Sequence, residues 1–184
     1  MRIIAGSLKG RRLESPDWPG LRPTSDKLRE TLFNVLAPRV GGARVLDGFA
    51  GTGAVGIEAL SRGAAHVTFV ERDVRAVRLI ERNLERAGLG VDRRVIIRAD
   101  LAVAVRQLAA QPFDIIVLDP PYGASQLGGS MTAIEPVVGV ETLLVLEHAR
   151  RDGAPSQHGA LARTREITSG DSALAFYRRR AVNE

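Results

Sequence analysis

One residue type and several kinds of segment are missing from this chain, and each absence excludes a class of function. The 184 residues contain no cysteine, which excludes a disulfide framework, a thiol nucleophile and a zinc site with cysteine ligands. The three histidines, His66, His148 and His158, are scattered and lack metal-ligand spacing. No apolar run approaches the ~20 residues of a membrane span, and the N-terminus shows no apolar signal-peptide core. With no long heptad pattern either, we expect a soluble, cytoplasmic monomer without bound metal or a membrane partner.

The positive charge of the chain is concentrated near its N-terminus. The net charge is +5, from 26 Lys and Arg against 21 Asp and Glu. Residues 1–39 hold eight basic and four acidic residues, whereas the remainder holds 18 and 17. A basic arm of this kind fits contact with nucleic-acid phosphates, although an arginine-rich proteome would give a similar excess. We therefore predict a basic extension over residues 1–24 that contacts nucleic-acid phosphates and a catalytic domain over residues 25–184.

The first segments are predicted to be a hairpin, a loop and a helix. Residues 2–14 alternate loosely and contain two glycines, which is typical of a small β-hairpin. A loop rich in proline follows. Thr24 or Ser25 can cap a helix over residues 26–37, which Pro38 should stop.

From residue 43 onward the hydrophobic pattern predicts strands that alternate with helices. Alternation of this kind indicates an α/β fold with a mostly parallel sheet and helices on both faces. Residues 163–168 and 173–179 are expected to close the sheet as a C-terminal antiparallel hairpin. Residues 123–131, rich in Gly and Ser, predict a mobile loop, followed by a short helix near 132–138; residues 150–161 predict another loop. The predicted strands span residues 44–49, 66–71, 94–100, 113–119 and 142–148, and the predicted helices span 54–62, 73–87 and 102–110.

A glycine-rich turn joins the first of these strands to its helix. Gly51, Gly53 and Gly56 satisfy the pattern G-x-G-x-x-G, in which glycines permit a tight turn and let a ligand lie against the backbone. The pattern suits a dinucleotide equally well, and it also suits a tight turn that binds nothing. By itself it therefore indicates only a candidate nucleotide site.

Carboxylates end four successive predicted strands, and they narrow the choice of ligand. Glu71 ends the second strand, where a carboxylate can bind both hydroxyls of a ribose. Asp47 precedes the first glycine, where its charge would repel a pyrophosphate but attract the amino group and sulfonium of S-adenosylmethionine. Asp100 can accept from the adenine amino group, and Asp119 ends the fourth strand. One such residue alone would fit a solvated strand end or a helix cap. A buried carboxylate without a partner is costly, so four at one edge predict a ligand rich in donors.

The sequence Asp-Pro-Pro-Tyr at residues 119–122 is the most specific motif. It follows an apolar run that reads as a buried strand, and two prolines cannot continue a central strand. The amino group of a nucleic-acid base is a poor nucleophile, because its lone pair is delocalised into the ring. Asp119 and the Pro120 carbonyl can accept its N–H protons and draw the lone pair back, while Tyr122 can stack on the base. The motif therefore indicates methylation of an exocyclic amine.

These residues resemble class I S-adenosylmethionine-dependent methyltransferases that act on amino groups. The N-terminal segments RIIAG (residues 2–6), KGRRL (9–13) and RPTSDKLRETLFN (22–34) look more narrowly like the RsmD family, and residues 47–63 continue the match. That family methylates the N2 amine of one guanine in 16S ribosomal RNA of the small subunit. The resemblance implies a Rossmann-like fold, S-adenosylmethionine as the methyl donor, S-adenosylhomocysteine as its product and 16S rRNA, within a small-subunit particle, as the partner.

The resemblance also implies roles for individual residues. Those expected to bind the donor are Asp47, Phe49, Ala50, Gly51, Gly53, Glu71 and Arg72, with Asp100 and Leu101 at its adenine. Those expected to present the guanine amine are Asp119, Pro120, Pro121 and Tyr122. Those expected to contact RNA are Arg2, Lys9, Arg11, Arg12, Arg22 and Thr24.

Three other functions fit parts of the sequence. DNA adenine-N6 methyltransferases often carry Asn at the position of Asp119 and usually have a sizeable target-recognition segment, for which this chain has no room. An NAD-dependent oxidoreductase fits the glycine spacing, but no Tyr-x-x-x-Lys pair or hydride-site histidine accompanies it. A non-catalytic RNA-binding assembly factor fits the basic arm, but the intact glycine-rich and Asp-Pro-Pro-Tyr motifs argue against it.

Overall fold

Helices and strands alternate along the chain, which closes with antiparallel strands. The computed structural model describes residues 1–21, 24–108, 111–121 and 123–180. The helices are α1 (Asp26–Val40), α2 (Ala54–Ser61), α3 (Val74–Arg86), α4 (Leu101–Leu108) and α5 (Ala124–Ile134), with 3-10 turns at Val91–Arg93 and Glu135–Val137. The strands are β1 (Arg44–Asp47), β2 (His66–Glu71), β3 (Arg94–Arg98), β4 (Ile115–Leu118), β5 (Leu143–Ala149), β6 (Gln157–His158), β7 (Leu161–Ser169) and β8 (Ser172–Arg179). Among these described helices, none has both the length and the apolar character to cross a bilayer.

The strands form one sheet whose larger part is parallel. Its order is β3-β2-β1-β4-β5-β8-β7-β6. The first five strands in that order are parallel, and the last three are joined to them and to one another in antiparallel pairs. The predicted α/β class, with a mostly parallel sheet and a C-terminal antiparallel strand, is confirmed. The short strand β6 lies within the predicted loop 150–161 and was not expected.

Side chains alternate between two covered faces of the sheet. One face packs against α1, α2 and α3 and receives Val45, Val117 and Val145. The opposite face packs against α4 and α5 and receives Leu46, Leu118 and Leu146. Because successive residues of a strand point to opposite faces, the next odd-numbered positions, where the strands reach the edge, face the same side as α1, α2 and α3.

Two predicted boundaries are wrong, each for a local packing reason. Most of the predicted mobile loop at 123–131 is instead helical and belongs to α5. The helix forms because Leu127, Met131 and Ile134 make one buried face at helical spacing. The two adjacent glycines of α5 lie outside that buried face, so they lower the helix propensity without exposing the core. Pro38 lies within α1, not beyond its end. The proline is exposed in the last turn, and buried Val40 holds that turn against the core.

The N-terminal segment is anchored to α2 by one buried carboxylate. The two oxygens of Glu58, which is fully buried, accept from the backbone N–H groups of Ile4 at 2.8 Å and Ala5 at 2.9 Å. The Arg62 side chain donates to the same carboxylate at 2.8 Å. An antiparallel bridge between Arg2 and Arg12 gives the predicted hairpin in a minimal form. The extension is therefore tied to the domain and does not hang freely from it.

We expect the substitution Glu58→Ala to lower the free energy of unfolding by about 3–5 kcal/mol. It would leave two backbone amides and the charge of Arg62 without their buried partner. Urea denaturation measures the change. Glu81→Ala removes an exposed carboxylate from α3 and should change stability by less than about 0.5 kcal/mol. Equal unfolding midpoints for the two variants would contradict the anchoring role.

Candidate active site

A large cleft opens where the parallel strands end. It has a volume of about 1660 Å³ and lies at the carboxyl ends of β1, β2, β4 and β5, the edge at which open α/β sheets bind ligands. The predicted site residues that line it are Thr24, Asp47, Phe49, Ala50, Gly51, Glu71, Arg72, Asp100, Leu101, Asp119, Pro120 and Pro121. Within the described part of the chain, no group of three or more His, Asp and Glu side chains has the arrangement of a metal site.

The glycines of the G-x-G-x-x-G turn differ in their surroundings. Gly51 lines the cleft with φ 53°. Gly53, with φ 77°, is the N-cap residue just before α2 and faces Ile80, and it does not line the cleft. At Gly56 a Cβ atom would collide with the ring of Phe69, so this glycine lets α2 pack closely on β2. Gly51 is thus positioned to meet a ligand, whereas Gly53 and Gly56 serve the turn and the packing.

Glu71 is held in a fixed orientation by two backbone amides. The N–H of Gly51 donates to its Oε2 and the N–H of Asp73 donates to its Oε1, both at 2.9 Å. Each oxygen keeps a further acceptor position, so the carboxylate can still bind a diol. Asp100, in contrast, is 64% exposed and lies 3.4 Å from the guanidinium of Arg72. The fixed acceptor on this side of the cleft is therefore Glu71.

Asp47 is a buried carboxyl on the floor of the cleft. It is only 3% exposed, and its Oδ2 accepts from the N–H of Gly56 at 3.0 Å. Burial raises the pKa of Asp47 to about 7, the hydrogen bond from Gly56 opposes the rise, and the charges of Asp119 and Glu71 add to it. A cationic group beside Asp47 would offset this cost and favour the ionised carboxylate.

Asp119 follows β4 directly and is followed by a rigid turn. It is half-buried, accepts no hydrogen bond from the described residues, and has its pKa raised by burial. Pro120 is buried and Pro121 exposed, and both lie in the cleft wall. Tyr122 lies outside the described residues, so the stacking ring at this position stays a prediction.

Glu147 lies beside Asp119, and it was not among the site residues predicted from the sequence. Leu118 of β4 pairs with Leu146 of β5, which makes Asp119 and Glu147 the next residues along the two strands. Glu147 lines the cleft, is 7% exposed, and has its pKa raised by burial and then by the charge of Asp119. The sequence signal that could have identified Glu147 is a charged residue within the apolar run of a predicted buried strand.

One of the predicted RNA-contacting residues lines the cleft, and several others lie outside its lining. The N-terminal hairpin turn packs on Ser61, the last residue of α2, whereas the first residues of that helix line the cleft. Arg11 donates to the carbonyl of Ala87 at 2.9 Å, beyond the far end of α3. The structure therefore brings Thr24 to the cleft but places Arg2, Lys9, Arg11 and Arg12 outside its lining. Arg22 lies outside the described residues.

The rim of the cleft is formed by basic and aromatic side chains that were not among the predicted site residues. Arg150 and Arg151, both exposed, follow β5 on one side. On the other side the guanidinium of Arg75 lies 5.3 Å from the centre of the Trp18 ring. The cleft thus combines an acidic floor with a basic rim, which can hold a donor-rich ligand inside while phosphates lie across the opening.

Comparison with known proteins agrees with this architecture. The family model described as Conserved hypothetical protein 95 matches residues 1–178. Ribosomal RNA small subunit methyltransferase D of Escherichia coli strain K12 is 38% identical over 186 residues, covering 100% of this chain and 92% of that protein. YlbH of Bacillus subtilis strain 168 is 40% identical over 184 residues, covering 98% and 100%. The solved structure of yhhF from Escherichia coli has a TM-score of 0.83 and 36% identity, covering 99% of both chains. The resemblance found in the sequence is thereby confirmed, and the chain belongs to the RsmD family of methyltransferases.

Proposed function

We propose that this protein transfers a methyl group from S-adenosylmethionine to the exocyclic N2 amine of one guanine in 16S ribosomal RNA. The observation that carries the proposal is the position of Asp119, a half-buried acceptor beside Pro120 in the same cleft as Asp47 and Glu71. The Escherichia coli relative, named as a small-subunit ribosomal RNA methyltransferase, supports RNA as the substrate. The resemblance of residues 22–34 and 119–122 to the RsmD pattern supports guanine N2.

The donor set of the cleft fits S-adenosylmethionine. Glu71, fixed by two amides, offers two oxygens to the ribose hydroxyls. Asp47 offers a buried carboxyl to the ammonium and sulfonium groups, and a cation beside it would offset the burial that raises its pKa. Leu101, which is 6% exposed, supplies an apolar wall where the adenine would lie. A pyrophosphate would place further negative charge among these carboxylates, which disfavours a dinucleotide.

The remaining residues act on the amine. When bound, S-adenosylmethionine supplies an electrophilic methyl group. Asp119 and the Pro120 carbonyl accept the N–H protons of the guanine amine, orient its lone pair and stabilise the positive charge that develops on nitrogen. Asp119 need not be a strong base, because the amine proton becomes acidic as the new bond forms. Alignment of the reacting atoms then supplies several kcal/mol of the rate acceleration.

The proposal is tested by labelling. The purified protein is incubated with radiolabelled S-adenosylmethionine and small ribosomal subunits from cells that lack the corresponding gene, and the RNA is digested to nucleosides. We expect the label in N2-methylguanosine. Label in another nucleoside, or in duplex DNA and not in RNA, would overturn the proposal. Binding of S-adenosylmethionine without transfer to any of these substrates would indicate a binding factor.

Two groups of arginine and lysine are proposed to hold the RNA phosphates. The rim pair, Arg150 and Arg151, lines the same cleft as the acceptors, whereas the N-terminal residues Arg2, Lys9, Arg11 and Arg12 lie outside its lining. A folded ribosomal RNA is large enough to contact both. The extension over residues 1–24 would then bind RNA outside the cleft through its hairpin and at the cleft through Thr24, and the catalytic domain would bind the target base itself.

Paired substitutions separate these contacts. We expect Arg150→Gln with Arg151→Gln to weaken RNA binding about tenfold and to reduce the slope of log K against log salt by about 1.5, because two phosphate contacts are lost. Lys9→Gln with Arg12→Gln should reduce the slope similarly. Arg78→Gln with Arg106→Gln removes the same charge from exposed positions outside both groups and serves as the control. If the N-terminal double variant behaves like this control, the extension is not part of the RNA-binding surface.

A further inference from the structure

Glu147 is a buried carboxyl that the proposed chemistry leaves unused. Three acidic residues in the described part of the chain are buried: Asp47, Glu58 and Glu147. Asp47 accepts from Gly56, and Glu58 accepts from two amides and an arginine. Glu147, at 7% exposure, receives no hydrogen bond from any described residue. Because Glu147 lines the cleft and desolvation disfavours its charged form, a donor on a ligand in the cleft would stabilise it.

The sheet places Glu147 next to the acceptor of the guanine amine. Leu118 and Leu146 are paired, so Asp119 and Glu147 emerge side by side at the sheet edge. Val117 and Val145, two residues earlier on each strand, both face α1, α2 and α3. Strand alternation therefore directs both carboxyls to that same side. They form neighbouring acceptors, spaced as adjacent strands are, about 5 Å apart.

The Watson–Crick edge of guanine presents two neighbouring donors to such a pair. Its exocyclic amine is flanked by the ring N1–H, which is a donor. The amines of adenine and cytosine are flanked instead by a ring nitrogen that only accepts. Resting on the function proposed above, we propose that Glu147 accepts a hydrogen bond from guanine N1–H while Asp119 accepts from the N2 amine. Glu147 then selects guanine over adenine and cytosine, because only guanine has an N–H donor in the ring next to its amine.

The electrostatics of the pair are compatible with this arrangement. Burial and the charge of Asp119 raise the pKa of Glu147, which favours one proton shared between the two carboxyls when the cleft holds no base. An oxygen of Glu147 can accept from N1–H in either protonation state. Glutamine, the neutral isostere, keeps a carbonyl oxygen there, whereas alanine removes the acceptor.

The test replaces the target guanine by 2-aminopurine, which keeps the N2 amine but has an unprotonated N1. The RNA carries this base at the methylated position, which is mapped by digesting the labelled RNA to oligonucleotides of known sequence, and methyl transfer from radiolabelled S-adenosylmethionine is measured for both RNAs. We expect the wild-type protein to prefer guanine by about 100-fold or more. Glu147→Gln should keep this preference, with turnover of guanine within about tenfold of wild type. Glu147→Ala should reduce the preference to less than about fivefold.

The ratio of the transfer rates for the guanine and 2-aminopurine RNAs distinguishes a role of Glu147 in base recognition from a structural role. A purely structural defect would slow both substrates in the same proportion and leave the preference unchanged. Should Glu147→Ala turn over neither RNA, the two dissociation constants measured in the presence of S-adenosylhomocysteine give the same ratio. Equal rates for guanine and 2-aminopurine in the wild-type protein, or a full preference in Glu147→Ala, would overturn the inference. Failure of the wild-type protein to methylate the guanine RNA would instead contradict the proposed function.

Discussion

Replacing Asp119 by alanine should reduce methyl transfer by about 100- to 1,000-fold while leaving the affinity for S-adenosylmethionine nearly unchanged. The carboxylate follows β4 in the wall of the cleft, and it accepts no hydrogen bond from the described residues. Its removal therefore breaks no contact on which the fold depends. What is lost is the acceptor that orients the amine and stabilises its developing charge. Single-turnover transfer and calorimetric donor binding measure the two effects separately.

Two further variants make the Asp119 result specific. Asp119→Asn keeps one carbonyl oxygen that can accept an N–H, so we expect it to retain more activity than the alanine variant. Asp92→Ala removes an exposed carboxylate outside the cleft lining and should behave as wild type. Turnover by Asp119→Ala close to the wild-type rate would exclude the proposed role, and a parallel loss of donor affinity would place Asp119 in the donor subsite.

The substitution Asp47→Asn should stabilise the ligand-free protein and weaken binding of S-adenosylmethionine by about 10- to 100-fold. Burial raises the pKa of Asp47 from 3.8 to about 7, so the folded state holds this proton more tightly than the unfolded state. Ionising the carboxyl in the folded protein therefore costs up to roughly 4 kcal/mol at pH 8. Asparagine carries no charge and can still accept from the N–H of Gly56, so this cost disappears together with the attraction for a cationic donor.

The dependence of stability on pH gives the sign of this effect. Between pH 4 and 7 the unfolded state has lost the proton and the folded state retains it. The ligand-free wild-type protein should therefore lose stability as pH rises through that window. Asp119 and Glu147, whose pKa values are also raised, act in the same direction. Urea denaturation at pH 5.5 and pH 8 should show a smaller difference for Asp47→Asn than for wild type. A variant that is less stable at pH 8 would contradict the account.

Donor binding should follow the opposite trend with pH. The ionised form of Asp47 attracts the cationic donor, so the affinity of the wild-type protein should fall as pH drops below about 7. Asp47→Asn should bind weakly at every pH, with a flatter profile. Calorimetric titrations over pH 5.5 to 8 compare the two proteins directly. Identical profiles would assign the pH dependence to another carboxyl in the cleft.

Local pattern predicted most of the sheet but not every helix. The predicted strands at Arg44–Asp47 and Ile115–Leu118 are present and largely buried, and the second of them is wholly apolar. The Gly-rich stretch after residue 122 was interpreted as a loop because glycine disfavours a helix by about 1 kcal/mol each. Burial of Leu127, Met131 and Ile134 offsets that cost, and it is visible only once α5 is packed on the sheet.

The sequence by itself determined the α/β class, the family, and the carboxylates expected at the strand ends, because strand and turn chemistry is local. Only the tertiary structure decided which side chains share the cleft. It placed Gly53 against Ile80, packed the turn of the N-terminal hairpin on Ser61 at the end of α2, and set Glu147 beside Asp119. Those relations depend on strand register and helix packing between segments far apart in the chain, and no local pattern of residues encodes them.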